Sequence, residues 1–368
     1  MFLSFNIVRA SGPFFNMLIM DRYLADLATI RTQTDNLSPY HNLQRLTQFS
    51  FFGANMANFL PEVPYGKHLS YFKEASFHQQ VSHLDQRYFT GELPFELVGW
   101  DAGLRHKLET EPGIICTLHM GSYRLINYLL ANAGLSFSIL MSRHTSARQG
   151  ATFRQLFESL RRKHKTLDIQ IVEAEDPGVV WKLSACLKRG MNILVYVDGD
   201  TGLPAQSHQL LKIPFLAQHL FVRKGVAFLA DLLGKPLYPI ICHRSDNNAV
   251  IVSAGNPIRL DTNRRGSGHE LALTYLFAYF GSVIMRHPAQ WENWFFLHHQ
   301  IDVKHIDAHH TETPQEYVPQ RDEYGLVCSD KAYFLLRKKG YNSYRINQLM
   351  YEGLVEKWAK ISVNPTLV

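Results

Sequence analysis

The chain is poor in cysteine, lacks long apolar runs and carries no internal repeat. Its four cysteines (Cys116, Cys186, Cys242, Cys328) are scattered through 368 residues, and none forms a C-x-x-C pair. That excludes a cysteine-built zinc module and a dithiol redox motif, and it fits reduced, mostly buried thiols in a cytoplasmic protein. Cys116 is the one candidate thiol nucleophile, and strand alternation is expected to bury it. Residues 1–20 are apolar but broken by Arg9, Ser11, Gly12 and Pro13, and do not read as a signal peptide. Neither they nor Leu271 to Met285 reach the ~20 residues that a spanning helix needs. Phe14 to Ile19 offers at most an interfacial anchor, so the expected location is the cytoplasm, with no more than peripheral contact at the inner membrane. No RNP, zinc-finger or basic-helix pattern is present, and a net charge of +6 is too diffuse to argue for nucleic acid.

What is present is globular: 46% hydrophobic and 19% charged residues. The mild positive excess favours an acidic partner, whether an anionic membrane surface, an acidic protein or a phosphorylated ligand. Residues 1–60 read as helices broken at 11–13 and 38–39, and 67–89 as a further helix. From Gly113 onward, short apolar runs alternate with amphipathic stretches. Strands are expected at 114–118, 137–141, 169–172, 192–197, 237–242 and 249–252. Helices are expected at 123–133, 151–164, 178–190, 221–233 and 271–285, several closed by glycine (Gly134, Gly190, Gly234). This alternation predicts an α/β fold with a mostly parallel central sheet flanked by helices. The domain would span 1–300, its first 110 residues or so helical. A linker at 301–323 would follow, then a small C-terminal unit at 324–368 with helices near 330–338 and 345–360.

His119 stands where the first strand hands over to a helix, and Gly121 follows it. Ligands of open α/β sheets bind at such carboxyl ends. Asp198 and Asp200, in Val197-Asp-Gly-Asp-Thr-Gly, end another strand of the same sheet. The plain reading of that stretch is an acidic turn, since Asp and Gly favour turns. It has too few carboxylates for a calcium loop. Arg143 ends a third strand, and Arg223 opens the helix expected at 221. Cations there suit an oxyanion or a phosphate. The histidines at 298–299 and 305/309 lack partners at metal-ligand spacing.

Taken in order, these stretches resemble the lysophospholipid-type acyltransferases, in particular the lauroyl/myristoyl (late) acyltransferases of lipid A synthesis. The pieces are His119-Met-Gly121, Arg143, Lys188-Arg-Gly190, Asp198-Gly-Asp200, Ile213-Pro-Phe215, Gly225-Val-Ala-Phe-Leu-Ala230, Tyr238-Pro-Ile240 and His287-Pro-Ala-Gln-Trp-Glu-Asn-Trp294, over roughly residues 65–300. The resemblance implies an acyltransferase-like fold. It also implies acyl transfer from a thioester, on acyl carrier protein, another carrier protein or coenzyme A, to a hydroxyl or amine; no cofactor is implied. By the same resemblance His119 is the general base, Asp198 and Asp200 shape the pocket floor, and Arg143 holds the oxyanion or an acceptor phosphate. The family's acid, five residues after the histidine, is replaced by Arg124, a cation that opposes imidazolium formation and is suited to grip a ligand. A carboxylate from elsewhere, Asp198 or Asp200, is then expected to serve His119. The acceptor expected is soluble or carrier-tethered, in a specialised biosynthetic pathway. The alternatives are a non-catalytic acyl- or carrier-protein-binding protein on the same fold, and a thioester hydrolase.

Overall fold

The computed structural model describes residues 13–88, 93–163, 166–199, 209–260, 267–301, 319–330 and 332–363. In chain order the elements begin with α1 (Pro13–Asp35), α2 (Leu43–Phe59), α3 (His68–Arg87), β1 (Leu97–Val98) and α4 (Ala102–Thr110). There follow β2 (Ile114–Thr117), α5 (Leu125–Asn132), β3 (Phe137–Met141), α6 (Arg143–Lys163), β4 (Ile169–Glu173), α7 (Val179–Lys188) and β5 (Asn192–Tyr196). Then come β6 (Leu210–Phe215), β7 (Gln218–Arg223), α8 (Gly225–Leu233), β8 (Leu237–Arg244), β9 (Val250–Ala254) and α9 (Ser267–Arg286). The chain closes with β10 (Tyr324–Ser329), β11 (Ala332–Arg337), β12 (Asn342–Ile346) and α10 (Gln348–Val363).

The molecule is α/β. Seven strands form one sheet in the order β1-β9-β8-β2-β5-β3-β4. Every neighbouring pair is parallel except β8 and β9. Those two are joined only through residues 245–249, too few for the crossover that parallel strands need. Successive side chains of a strand point to opposite faces, and the core divides accordingly. Ile114, Cys116, Ile193, Leu237 and Ile241 pack with α2, α8 and α9 on one face. Ile115, Leu194, Ile139, Tyr238 and Cys242 pack with α5 and α6 on the other.

Two expectations fail, both by mistaking a strand for a helix. The helix expected from Phe221 starts only at Gly225, because Phe221 lies in β7, paired antiparallel to β6. Leu220 and Val222 are buried and alternate with more exposed neighbours, which is the period of a strand. The helix expected at 330–338 is instead β11, the middle strand of a second, antiparallel sheet β10-β11-β12. That C-terminal unit packs on α2 through β10 and the turn at 339–341. Ser50 Oγ donates to Leu326 O and accepts from the Leu326 N–H, each at 2.8 Å, and Tyr341 Oη donates to Asn55 Oδ1 at 2.8 Å. The linker expected at 301–323 falls largely outside the described residues. No helix among the described residues is long and apolar enough to cross a membrane.

Candidate active site at the carboxyl end of the sheet

Strand β2 is fully buried, and the chain leaves its carboxyl end through Leu118 into His119. A tight turn then returns it into α5. Gly121 takes φ +53°, and a Cβ there would lie 2.7 Å from the carbonyl oxygen of Cys242 on β8. Only glycine gives this turn both the left-handed backbone and the close approach. The segment after α9 clamps the turn from the other side. The Gly121 N–H donates to Gln290 O at 2.8 Å, and the Glu292 N–H donates to His119 O at 2.8 Å. The Gln290 side chain bridges to both the N–H and the C=O of Arg244, each at 2.7 Å. His119 is therefore fixed by β2, by the end of β8 and by the 288–292 segment together.

Asp198 follows β5, the immediate neighbour of β2. Its side chain is 1% exposed and lies against His119. Oδ1 is 2.8 Å from His119 Nδ1, and Oδ2 accepts the His119 backbone N–H at 3.0 Å. Oδ2 also accepts the indole N–H of the buried Trp291 at 2.9 Å, and Gln300 Nε2 donates to Asp198 O at 2.9 Å. A carboxylate can only accept, so Nδ1 carries the proton and the neutral ring keeps its acceptor lone pair on Nε2. The His119 side chain retains 34% exposure. The pair is thus a histidine oriented by a buried acid, with its second nitrogen toward solvent.

The surroundings set the basicity of that ring. Burial pulls the His119 pKa down; the Asp198 charge and hydrogen bond, helped by Glu292, outweigh it, so the pKa is raised above 6.5 despite the opposing charge of Arg124. Tyr196 and Tyr123 line the imidazole, with ring centroids at 4.7 and 4.9 Å. Glu292 accepts from Tyr123 Oη at 3.2 Å and from Gln79 Nε2 at 2.8 Å.

The other expected residues fall variously. Asp200 lies outside the described residues. Arg143 does begin α6 at this end of the sheet, but it is 65% exposed and its Nε donates to Glu173 at 3.2 Å. That places its guanidinium on the outer strand β4, three strands from β2. Arg223 closes β7, a strand of the separate two-stranded sheet β6-β7. Arg124 precedes α5, is 7% exposed, and donates from Nη1 to Gln86 at 3.2 Å and to Gln149 at 3.1 Å. Cys116 and Cys242 are fully buried, and burial pushes both thiols far up. Neither is available as a nucleophile at neutral pH.

Glu292, Tyr123, Tyr196 and Trp291 were missed as site residues. Trp291 and Glu292 belong to the Pro288–Trp294 stretch, whose role as a clamp over His119 only the fold shows. Among the described residues, no group of three or more His, Cys, Asp or Glu is placed to hold a metal ion. A cleft of about 270 Å³ opens at the opposite, amino end of the strands, beside Ser136, Asp168 and Asn192. Its Asp168 faces Arg189 at 3.7 Å and Arg161 at 3.9 Å. Compared with known proteins, the chain matches no protein-family model and no curated protein.

Proposed function

We propose that the protein is an acyltransferase that moves an acyl group from a carrier-protein or coenzyme A thioester to a hydroxyl or amine. The observation that carries this reading is the His119–Asp198 pair, with Nδ1 held by the buried acid and Nε2 facing solvent. With Cys116 and Cys242 buried and protonated, the group that Nε2 activates comes from the substrate. The ordered motifs from His119 to Trp294 that resemble the lipid A late acyltransferases support the same reading, and an acyltransferase-like fold with it. Asp198 serves as the acid that the family pattern has five residues after the histidine.

In this reading His119 Nε2 takes the proton of the acceptor O–H or N–H as the acceptor attacks the thioester carbonyl carbon. The imidazolium that forms is stabilised by Asp198. The tetrahedral intermediate collapses, the C–S bond breaks, and the leaving thiolate takes the proton back from Nε2 as a free thiol. Atoms and charge balance, and no cofactor enters.

The test is incubation with an acylated carrier protein or acyl coenzyme A and a panel of acceptors, followed by mass. The expected result is acyl transfer by the wild type and none by His119→Ala, with the fold intact by circular dichroism. Full transfer by that variant overturns the proposal. Release of free acid with every acceptor assigns a hydrolase instead, and tight donor binding with no turnover a binding protein.

A further inference from the structure

Arg124 is a buried cation that the structure leaves without a counter-ion. It is 7% exposed, and among the described residues no carboxylate forms an ion pair with it. Its two hydrogen bonds go to neutral amide oxygens, Gln86 at the end of α3 and Gln149 on α6, and both use Nη1. Nε is buried and unbonded. Nη2 also makes no hydrogen bond, but it is not among the side-chain atoms sealed from solvent. A desolvated charge of this kind is costly unless paired. The backbone sharpens the imbalance. Arg124 is the residue that opens α5, and a helix N-terminus carries partial positive charge, where an anion is favoured and a cation is not.

The geometry points to an anion subsite at Arg124, beside the His119 pair, that holds the carboxylate of an acceptor; the acceptor is then an amino or hydroxy carboxylic acid. This rests on the acyl-transfer reading above. Three arguments select a carboxylate on the acceptor. Asp198 and Glu292 already place negative charge around His119, so a carboxylate, which adds one more to face Arg124, is favoured over a phosphate monoester, which adds up to two. The two glutamines fix the guanidinium from one side and leave the Nη2 edge to the ligand, in the planar arrangement a carboxylate oxygen accepts. Lastly, the Tyr123 ring neighbours both groups, its centroid 5.0 Å from Arg124 Cζ and 4.9 Å from the His119 ring. That span suits the amine-to-carboxylate separation of a small acid. It is far shorter than the pantetheine arm that separates a donor's phosphate from its thioester.

The test reads binding apart from turnover. The His119 ring signals are followed by NMR in the full-length protein during titration with sodium acetate, dimethyl phosphate or sodium chloride at matched ionic strength. Acetate is expected to shift the signals saturably and to raise the His119 titration midpoint. Arg124→Gln is expected to weaken acetate binding about tenfold or more, the loss of a charge-assisted contact. Arg124→Lys keeps the charge, retains part of the binding, and serves if the glutamine variant does not fold. No saturable acetate effect beyond that of chloride, or an equal effect in Arg124→Gln, overturns the subsite. Saturation by dimethyl phosphate but not acetate also overturns it and assigns a phosphodiester. In transfer assays, glycine is expected to exceed glycinamide in kcat/KM about tenfold, a preference lost in Arg124→Gln. Acetate binding without acyl transfer to any acceptor rejects the acyl-transfer reading alone; transfer without an acetate effect rejects the subsite alone.

Discussion

Two buried arginines, Arg244 at the carboxyl end of β8 and Arg124 in the turn beyond the neighbouring strand β2, are treated by the fold in opposite ways. Arg244 ends β8 and has its charge paired inside the protein, although its Nε, like that of Arg124, is buried without a hydrogen bond. Its Nη2 lies 2.6 Å from Asp85 and donates to Tyr23 Oη at 2.8 Å, while Nη1 donates to Asn248 O at 3.0 Å. Tyr23 in turn donates to Asp85 at 2.9 Å, and Phe95 lies under the guanidinium at 5.0 Å. The cluster ties α1, α3 and β8 together with its charge cancelled inside the protein. Arg124 has only neutral glutamine oxygens and a tyrosine ring. A cation that serves packing is paired by the chain itself; one that serves a ligand has its pairing left open.

That contrast can be broken by mutation, and the largest expected effect is at His119. Replacing it with alanine should lower acyl transfer about 10²–10⁴-fold, the range for a general base, with the urea midpoint little changed. Next comes Asp85→Ala, which strands Arg244 as a buried, uncompensated charge. It should cost about 3–5 kcal/mol of folding stability by urea denaturation, and a loss below 1 kcal/mol would show that the Arg244 cluster is not the brace described. Arg124→Gln is the sharpening counterpart. It removes a buried charge that has no internal partner, so stability should hold or rise, and a loss of more than about 1 kcal/mol by urea denaturation would show that Arg124 braces the fold.

The pH dependence separates the same two classes of group. Because the His119 pKa is raised above 6.5, the rate should climb with pH to a midpoint above that value. Asp198→Asn should move the midpoint down, and an unchanged profile would remove Asp198 as the orienting acid. The stabilisation from this pair is present below the unfolded pKa and lost as pH rises through the folded one. His68 behaves oppositely. It is buried with neither ring nitrogen bonded, and burial, aided by Lys338, pushes its pKa to about 3. Stability should therefore fall as pH drops from 6.5 toward 3, by at most about 1.4 kcal/mol per pH unit for this residue. His68→Gln should flatten that slope in urea midpoints measured across the range, the smallest of these effects.

Much of the fold was legible in local pattern. The apolar runs and the glycine stops at Gly134, Gly190 and Gly234 placed the strands and helices of the parallel sheet, and all three glycines adopt positive φ. The failures at Phe221 and at 332–337 share a cause. Both are short antiparallel strands whose apolar content also suits a helix turn, and the pairing that decides them lies across a hairpin. At the site, the strand end marked His119 as a candidate, and the acidic turn offered Asp198 or Asp200 as its partner.

By itself, then, the sequence determined the alternation of strand and helix and the placing of His119 at a strand's carboxyl end, because hydrophobic period and glycine turns act over a few residues. Only the tertiary structure decided which acid serves His119, since Asp198 is 79 residues away and meets it through the pairing of β5 with β2. It also decided that Trp291 and Glu292, from beyond α9, close around the pair. Finally, it decided that Arg143, placed by the chain at the same sheet end, turns to Glu173 while Arg124 stays buried and uncompensated. Charge in a folded protein is set by which groups share a dry neighbourhood, and local pattern does not carry that information.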